Sequence, residues 1–354
     1  MENKTEKVAT IKDIAANLGV SMTTVHKAIY NKKGISEANR QRILQYIEHQ
    51  NFHINRSASA LKRKAIRLAY VGLEPSESYG FYFQKLRKCI EEVYEDYRSL
   101  NVDMDMYTTS EDPEEQIAFL RKLYDEEHEN LDGLLVASAH DTMVSPAVRK
   151  FVEAGIKVVT INGDAHNSNR HAYVTDDSIL AGHVAADLLV NLGIQKQGYV
   201  LLVCGYRDFS NHRLFSSSFA DWLSRERPDV DVVDMYQQSD LNATTEKIIR
   251  YLSTFPDIHA VCCANARTTY AACHAIQRLG LANSVKLVGS DAYEELRPFF
   301  EDGTINATIF KDPQKQSAIA MDCLYNLVTQ EKSVDPHQFV GVGIVLKSNF
   351  NSFL

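Results

Sequence analysis

Between residues 10 and 31 the chain reads TIKDIAANLGVSMTTVHKAIYN, and its apolar positions fall into two short helical stripes. Ile11, Ile14, Ala15 and Leu18 stand at i, i+3, i+4 and i+7, one face of an amphipathic helix. Val25, Ala28 and Ile29 repeat that spacing after a break at Gly19. Thr10 and Ser21 supply hydroxyls that cap free N–H groups where the two helices start, and Gly19 supplies the left-handed residue that stops the first. The second stripe turns Met22, Thr23, Thr24, His26 and Lys27 outward. A third helix is predicted from Ser36, with Glu37 in its first turn, where the helix dipole favours an acid, and with Ile43, Leu44 and Ile47 as its apolar face. Asn55, Ala58 and Leu61 then recur at the spacing of a further short helix among Arg56, Lys62, Arg63 and Lys64.

From Ile66 onward short β-rich runs alternate with longer amphipathic ones. Strands are predicted at 66–73, 102–109, 133–138, 157–163, 199–205, 230–236, 260–265 and 285–291, with helices between them. Such alternation, with strands apolar on both faces, specifies parallel doubly wound sheets, and two cycles of it predict two lobes. Ligands of open α/β sheets bind beyond the carboxyl ends of the strands. The polar residues there are Asp164, the stretch from Arg207 to Arg213, Asn265, Asp291 and Lys311. Each Asx among them has a plainer use as a helix cap or turn residue, but their recurrence after several strands points to a shared cleft.

Charge sharpens the division. The net charge is −8, yet residues 1 to 64 hold twelve Lys and Arg against five Asp and Glu, net +7, leaving −15 on the remaining 290 residues. A cationic end on an anionic body suits a nucleic-acid partner. Small hydroxyls, a His and a Lys on the outward face of the second of two helices joined by a glycine turn are what a helix-turn-helix needs. No apolar run approaches the roughly 18 to 20 residues that span a bilayer, and the polar start, MENKTEKVATIKD, is no secretory signal. A cytoplasmic protein is expected. The six cysteines form no C-x-x-C pair and read as reduced thiols. Neither a metal nor another cofactor is called for, and G-x-S-x-G, phosphate-loop and H-E-x-x-H motifs are absent, so no enzyme is expected.

At Thr10 to Ala15, Gly19 to Ser21, Thr24, Val25, Asn31, Ser36, Glu37, Arg40, Ile47, Phe52, Asn55, Ala58 and Leu61, the chain resembles the lactose-repressor family of bacterial transcription regulators. Members open with TIKDVA..AGVS..TVSRVLN and end the headpiece with a hinge reading N..A..L. The resemblance implies that Thr10, Ser21, Met22, Thr23, Thr24, His26, Lys27, Asn31, Asn55, Ala58 and Leu61 face DNA. Met22 and Thr23 would discriminate between operators, and Leu61 would wedge into the minor groove. His26 and Lys27 stand where the family usually has Ser and Arg, and Ser59 where many members have Arg.

Residues 66 to 354 are similar to the sugar-binding periplasmic proteins, through YFQKL (82–86), the segment 160–189, Asn265 and LVGSDAYEEL (287–296). The resemblance implies a headpiece over 1–55, a hinge over 56–65, an N-terminal lobe from 66–175 and 311–339, and a C-terminal lobe from 176–310 and 340–354. Tyr82, Phe83, Asp164, Arg213, Asn265, Asp291 and Lys311 would hold the effector. Phe83 would lie against a sugar ring, with Asn265 and Asp291 bonding its hydroxyls.

Four departures bear on the ligand. Phe215 takes the place of a family Arg, Ala266 that of an Asp, Lys311 that of a Gln, and Asn162 with Gly163 that of Asp and Arg. With Lys311 and Arg213 in the cleft, an anionic or phosphorylated carbohydrate is expected in place of a plain hexose. The function implied is a homodimeric regulator, a repressor by family habit, that binds double-stranded operator DNA under control of a sugar or sugar derivative. The alternative is a solute-binding protein without a regulatory role.

Overall fold

The computed structural model describes residues 11–29, 34–49, 64–74, 81–195, 197–238 and 240–354. Thr10, Asn31, Asn55, Ala58 and Leu61 lie outside that description, as does the side chain of His26.

Three helices build the headpiece: α1 (Ile11–Leu18), α2 (Met22–Ile29) and α3 (Glu37–His49). Gly19 adopts φ +65°, and the Val20 N–H reaches back to the Ala15 carbonyl at 3.0 Å, closing α1 as expected of a left-handed stop. The Ser21 hydroxyl accepts the Thr24 N–H at 3.1 Å and caps α2. Ile14, Ala15, Val25, Ala28 and Ile43 are buried together, with Leu18, Val20, Ile35, Tyr46 and Ile47 packed around them. Leu44 does not join this core and is 37% exposed. Ile43 and Ile47 lie one turn apart on the inner face, and Tyr46 fills the place beside them. The guanidinium of Arg42 donates to the Leu18 carbonyl at 3.2 Å, and that of Arg40 to the Lys27 carbonyl at 3.5 Å. Both carbonyls belong to last turns that lack helical partners and favour a cation.

The body runs β1 (Ile66–Leu73), α4 (Phe81–Arg98), β2 (Val102–Thr109), α5 (Pro113–Glu127), β3 (Gly133–Val136), α6 (Ser145–Glu153), β4 (Lys157–Ile161) and β5 (Ala172–Asp176). It continues with α7 (Ser178–Asn191), β6 (Gly198–Cys204), α8 (Ser210–Glu226), β7 (Val230–Tyr236), α9 (Leu241–Thr254), β8 (Ile258–Cys263), α10 (Ala266–Arg278), β9 (Lys286–Ser290), α11 (Arg297–Glu301) and β10 (Ala307–Phe310). It closes with α12 (Pro313–Thr329), β11 (His337–Val340) and β12 (Gly343–Val345).

One sheet has the order β11-β5-β4-β3-β1-β2 and is parallel throughout. The other has the order β12-β10-β9-β8-β6-β7 and is parallel except where β12 runs against β10. The chain therefore passes between the sheets after β5, after β10 and between β11 and β12. Strands β5, β10, β11 and β12, unforeseen in the sequence pattern, have three to five residues each. Polar residues interrupt the apolar runs of β5 and β10, and β11 and β12 are edge strands with exposed positions.

The loops after the strands are held by buried polar side chains. Gln116, at 0% exposure, donates to the Ala137 carbonyl at 3.0 Å and accepts the Ala139 N–H at 2.8 Å. It thereby fixes the turn that follows β3. Replacing Gln116 by Leu should leave that N–H and carbonyl unpaired in a dry site and cost about 2–4 kcal/mol. Urea denaturation of the full chain measures this, and Gln116→Glu should recover only part of the loss.

Candidate functional site

A cavity of about 280 Å³ lies between the sheets, walled by residues that follow strand ends on both sides. That volume is near the lower end of the roughly 300–1,000 Å³ of small-molecule sites. The first lobe contributes Leu73, Tyr82, Phe83, Glu111, His140 and Asn162 to its wall. From the second come Tyr206, Phe209, His212, Gln237, Asn265, Arg267 and Asp291, with Lys311 at the middle crossing.

Asp291 sits one residue past β9 in the left-handed region, φ 70°, and is 5% exposed. Its backbone is pinned on both sides: the N–H donates to Ile309 O at 2.7 Å, and the carbonyl accepts the Thr308 hydroxyl at 2.6 Å. The carboxylate oxygen Oδ1 has no partner within the described protein. Burial pushes the Asp291 pKa up to about 6, against the lowering pull of the Lys311 ammonium. Lys311, 6% exposed, donates to the Ala264 carbonyl at 2.9 Å and stands 6.0 Å from the centre of the Phe215 ring. Lys311 thus brings a cation to the wall from the segment that crosses between the sheets after β10, beside the Phe215 ring.

Two more buried polar atoms on the wall have no described partner, Gln237 Nε2 and the Tyr82 hydroxyl. Gln237 is oriented by Asn265, whose Nδ2 donates to Gln237 Oε1 at 2.8 Å. Asn265 also caps α10, its Oδ1 accepting the Thr268 N–H at 2.9 Å, so it lines the cavity with much of its bonding capacity already used. The His212 Nδ1 accepts the Tyr206 N–H at 3.1 Å, which leaves the proton on Nε2. Desolvation and the Lys311 charge hold that ring neutral, its pKa pushed down to about 3.

Of the residues singled out in the sequence, Tyr82, Phe83, Asn265, Asp291 and Lys311 meet at the cavity, while Asp164 and Arg213 do not line it. Asp164 is 1% exposed and spends its carboxylate on Arg170 at 2.7 Å and Thr160 at 2.8 Å. Burial alone would raise its pKa, but the Arg170 fork outweighs that and keeps it low. Arg213 donates to the Arg207 carbonyl at 2.6 Å and lies 3.7 Å from Asp141. The stretch from Arg207 to Arg213 does reach the wall, through Asp208, Phe209, Asn211 and His212 instead of its arginines. Gly163 lies so close to Ser138 that an added Cβ would be 2.3 Å from its carbonyl oxygen. Gln237, Tyr206, Arg267 and Glu111 escaped the sequence reading, although each lies within four residues of a strand end.

In the headpiece, Met22 is 56% exposed and Thr23 is exposed beside it. The Thr24 and Ser21 hydroxyls lie 2.8 Å apart, and the Lys27 ammonium is 3.4 Å from the Gly34 carbonyl.

Residues 71–332 match the model of the periplasmic binding protein domain, and residues 10–55 that of the bacterial regulatory proteins, lacI family. The chain belongs to the lacI family. This lacI-family protein is 26% identical over 330 residues to the ribose operon repressor of Lactococcus lactis subsp. lactis (strain IL1403), a match covering 92% of each chain. It is 25% identical over 299 residues to the HTH-type transcriptional repressor PurR of Aliivibrio salmonicida (strain LFI1238), covering 81% of this chain and 83% of that one. Its fold is shared with a solute binding protein from Agrobacterium vitis bound with alpha-D-tagatopyranose, with TM-score 0.72 and 19% identity, over 82% of this chain and 99% of the other. The solute-binding proteins resemble the body, whereas the lacI domain and the repressor relatives favour a DNA-binding transcriptional repressor with a sugar-binding effector domain.

The elevated Asp291 pKa carries a stability cost with a definite sign. The folded chain keeps this carboxyl protonated up to about pH 6, whereas the unfolded chain releases the proton near the ordinary value of 3.8, so stability falls as pH rises between the two. Asp291→Asn, which tolerates the left-handed backbone, should gain about 2 kcal/mol near pH 8 and nothing below about pH 4. Thermal melting of the ligand-free chain at the two pH values tests this.

Proposed function

We propose that this repressor holds a neutral monosaccharide between its lobes and changes its operator affinity in response. The observation that carries the reading is the set of unsatisfied buried atoms on one small aromatic-walled cavity: Asp291 Oδ1, Gln237 Nε2 and the Tyr82 hydroxyl. An acceptor and donors beside the Phe83 and Phe209 side chains match a ring bearing several hydroxyls. Its cations are already engaged. Arg267 donates to Glu111 and Tyr206, both at 2.6 Å, and Lys311 sits within the field of Asp291. A ligand carrying its own negative charge would meet Asp291, Glu111 and Asp208 with no cation to spare, which argues against the anionic carbohydrate expected from Lys311 and Arg213. The name of the ribose operon repressor relative agrees with a neutral sugar.

On DNA, Lys and Arg of the headpiece supply phosphate contacts and the exposed face of α2 supplies base readout, with Met22 and Thr23 foremost. The protein acts as a homodimer in the cytoplasm, because a two-fold dimer reads a near-palindromic operator with one headpiece per half-site. The net −15 of the body repels the duplex and leaves the cationic module as the end that docks. A coupling of roughly 1–3 kcal/mol between cleft and hinge gives 5- to 150-fold control.

Calorimetry with neutral aldoses and ketoses against sugar acids and sugar phosphates tests the ligand class; binding of the acids alone would contradict it. Selection of bound fragments from random duplexes, with and without the sugar so found, tests the regulatory role. Leu61→Ala should weaken binding to the selected duplex at least about tenfold, the loss of a minor-groove wedge, while sugar affinity stays within about twofold of the parent.

A further inference from the structure

A second cavity, of about 350 Å³, opens beside α12 and shares no lining residue with the one between the sheets. Its wall comes entirely from the segment 318–338, so its shape does not depend on how the lobes sit. The floor is one face of α12, where Ala318, Ile319, Asp322, Cys323 and Asn326 follow at i, i+1, i+4, i+5 and i+8. Gln330 then takes the left-handed conformation, φ 55°, and turns the chain back along that face. Gln338 on β11 donates to the Asp335 carbonyl at 3.2 Å, and the Asp335 carboxylate accepts the His337 N–H at 3.0 Å. These two bonds hold the returning loop, which brings Lys332 and Val334 to the wall.

The polar groups of this cavity are sorted by charge. Asn326 is 2% exposed, its Nδ2 donates to the Asp322 carbonyl one turn back at 2.7 Å, and its Oδ1 has no partner among the described residues. A buried carbonyl oxygen without a donor costs free energy that a bound N–H recovers. Asn326 also stands in the last turn of a 17-residue helix, whose terminal carbonyls hold partial negative charge. Burial pushes the Cys323 thiol up to about 11, and the Asp322 and Asp335 carboxylates add to the rise, so both charges act at this floor. The thiol stays protonated and serves as apolar surface. Ile319 and Val334 are half-buried and pack on the core below. Among the described residues of the wall Lys332 is the one cation, and its side chain is exposed.

We propose that this cavity binds a small aliphatic α-amino acid, with its ammonium at Asn326 Oδ1 and the last turn of α12, its carboxylate at Lys332, and its side chain against Ile319 and Val334. A plain amine would leave Lys332 unmatched. A plain acid would meet Asp322 and Asp335 and bring no donor to Asn326. The zwitterion answers both ends with charge-assisted hydrogen bonds. One helix joins this site to the first: α12 starts two residues after Lys311, and Gln316 in its first turn donates to the Lys311 carbonyl at 2.7 Å. The regulator thus has a second input on the element that anchors the wall of the first. Binding here does not depend on which sugar, if any, occupies the other cavity.

The test is calorimetry on the full chain, with no sugar and no DNA. The probes are L-leucine, 3-methylbutylamine, which lacks the carboxylate, and 4-methylpentanoate, which lacks the ammonium. Leucine should bind one per chain, and each analogue at least about tenfold more weakly. Lys332→Gln should weaken leucine at least about tenfold and leave the amine within about twofold, whereas Asn326→Leu should weaken leucine and the amine alike. No saturable heat from leucine up to about 10 mM, an analogue that binds as tightly as leucine, or variants at these two positions that bind it as the parent does would overturn the proposal. So would loss of leucine binding in Asp291→Asn, which would place the ligand between the lobes. Should Asn326→Leu fail to fold by circular dichroism, Lys332→Gln, which changes an exposed side chain, decides alone.

Discussion

The parallel strands of each body sheet end at a common seam, and the loops that follow them carry polar groups into the space between the lobes. A buried polar group without a partner is costly, so the seam must be lined either with groups that satisfy one another or with groups that await a ligand. Both kinds are present. Asn265 caps its helix and steers Gln237, Gln116 ties the turn after β3, and Arg267 bridges Glu111 and Tyr206. Among the described residues Asp291 Oδ1 and Gln237 Nε2 have no partner, on the wall of the same cavity.

Asp291 concentrates the cost. It has a left-handed backbone, a desolvated carboxyl and no described hydrogen-bond partner for Oδ1. Its neighbours hold it in place by the main chain, through Ile309 and Thr308 on the adjacent strand β10. Strain and desolvation of this kind persist where the surrounding structure over-determines a residue, and they gather at binding sites. The headpiece has the opposite economy: its capping groups and its two guanidiniums are matched to helix ends, and Met22 and Thr23 remain exposed.

The Lys311 ammonium ties these threads together. Lys311, entering from the crossing after β10, places its ammonium 6.0 Å from the centre of the Phe215 ring. The ammonium also bonds a main-chain carbonyl and lowers the Asp291 pKa against the effect of burial. A cation so engaged balances the acid beside it.

Much of this was legible in the residues. The stripe Ile14, Ala15, Val25, Ala28, the stop at Gly19 and the cap at Ser21 depend on neighbours within one or two turns, so periodicity and turn chemistry identify them. The long buried strands and the lobes they build follow from the same local logic. Leu44 was misassigned because it shares an apolar run with Ile43, and which residue of such a run faces inward depends on how α3 packs. Strands β11 and β12 were hidden because they are short and partly exposed at sheet edges, and β5 and β10 because Thr175, Asp176 and Thr308 interrupt their apolar runs. The fates of Asp164, Arg213, Arg267 and Glu111 depend on partners on other segments or across the lobes. Patterning along the chain sets which elements form and which strand ends are polar; which of those polar groups pair off, and which are left for a ligand, follows from distances between segments far apart in sequence, and no local pattern encodes those.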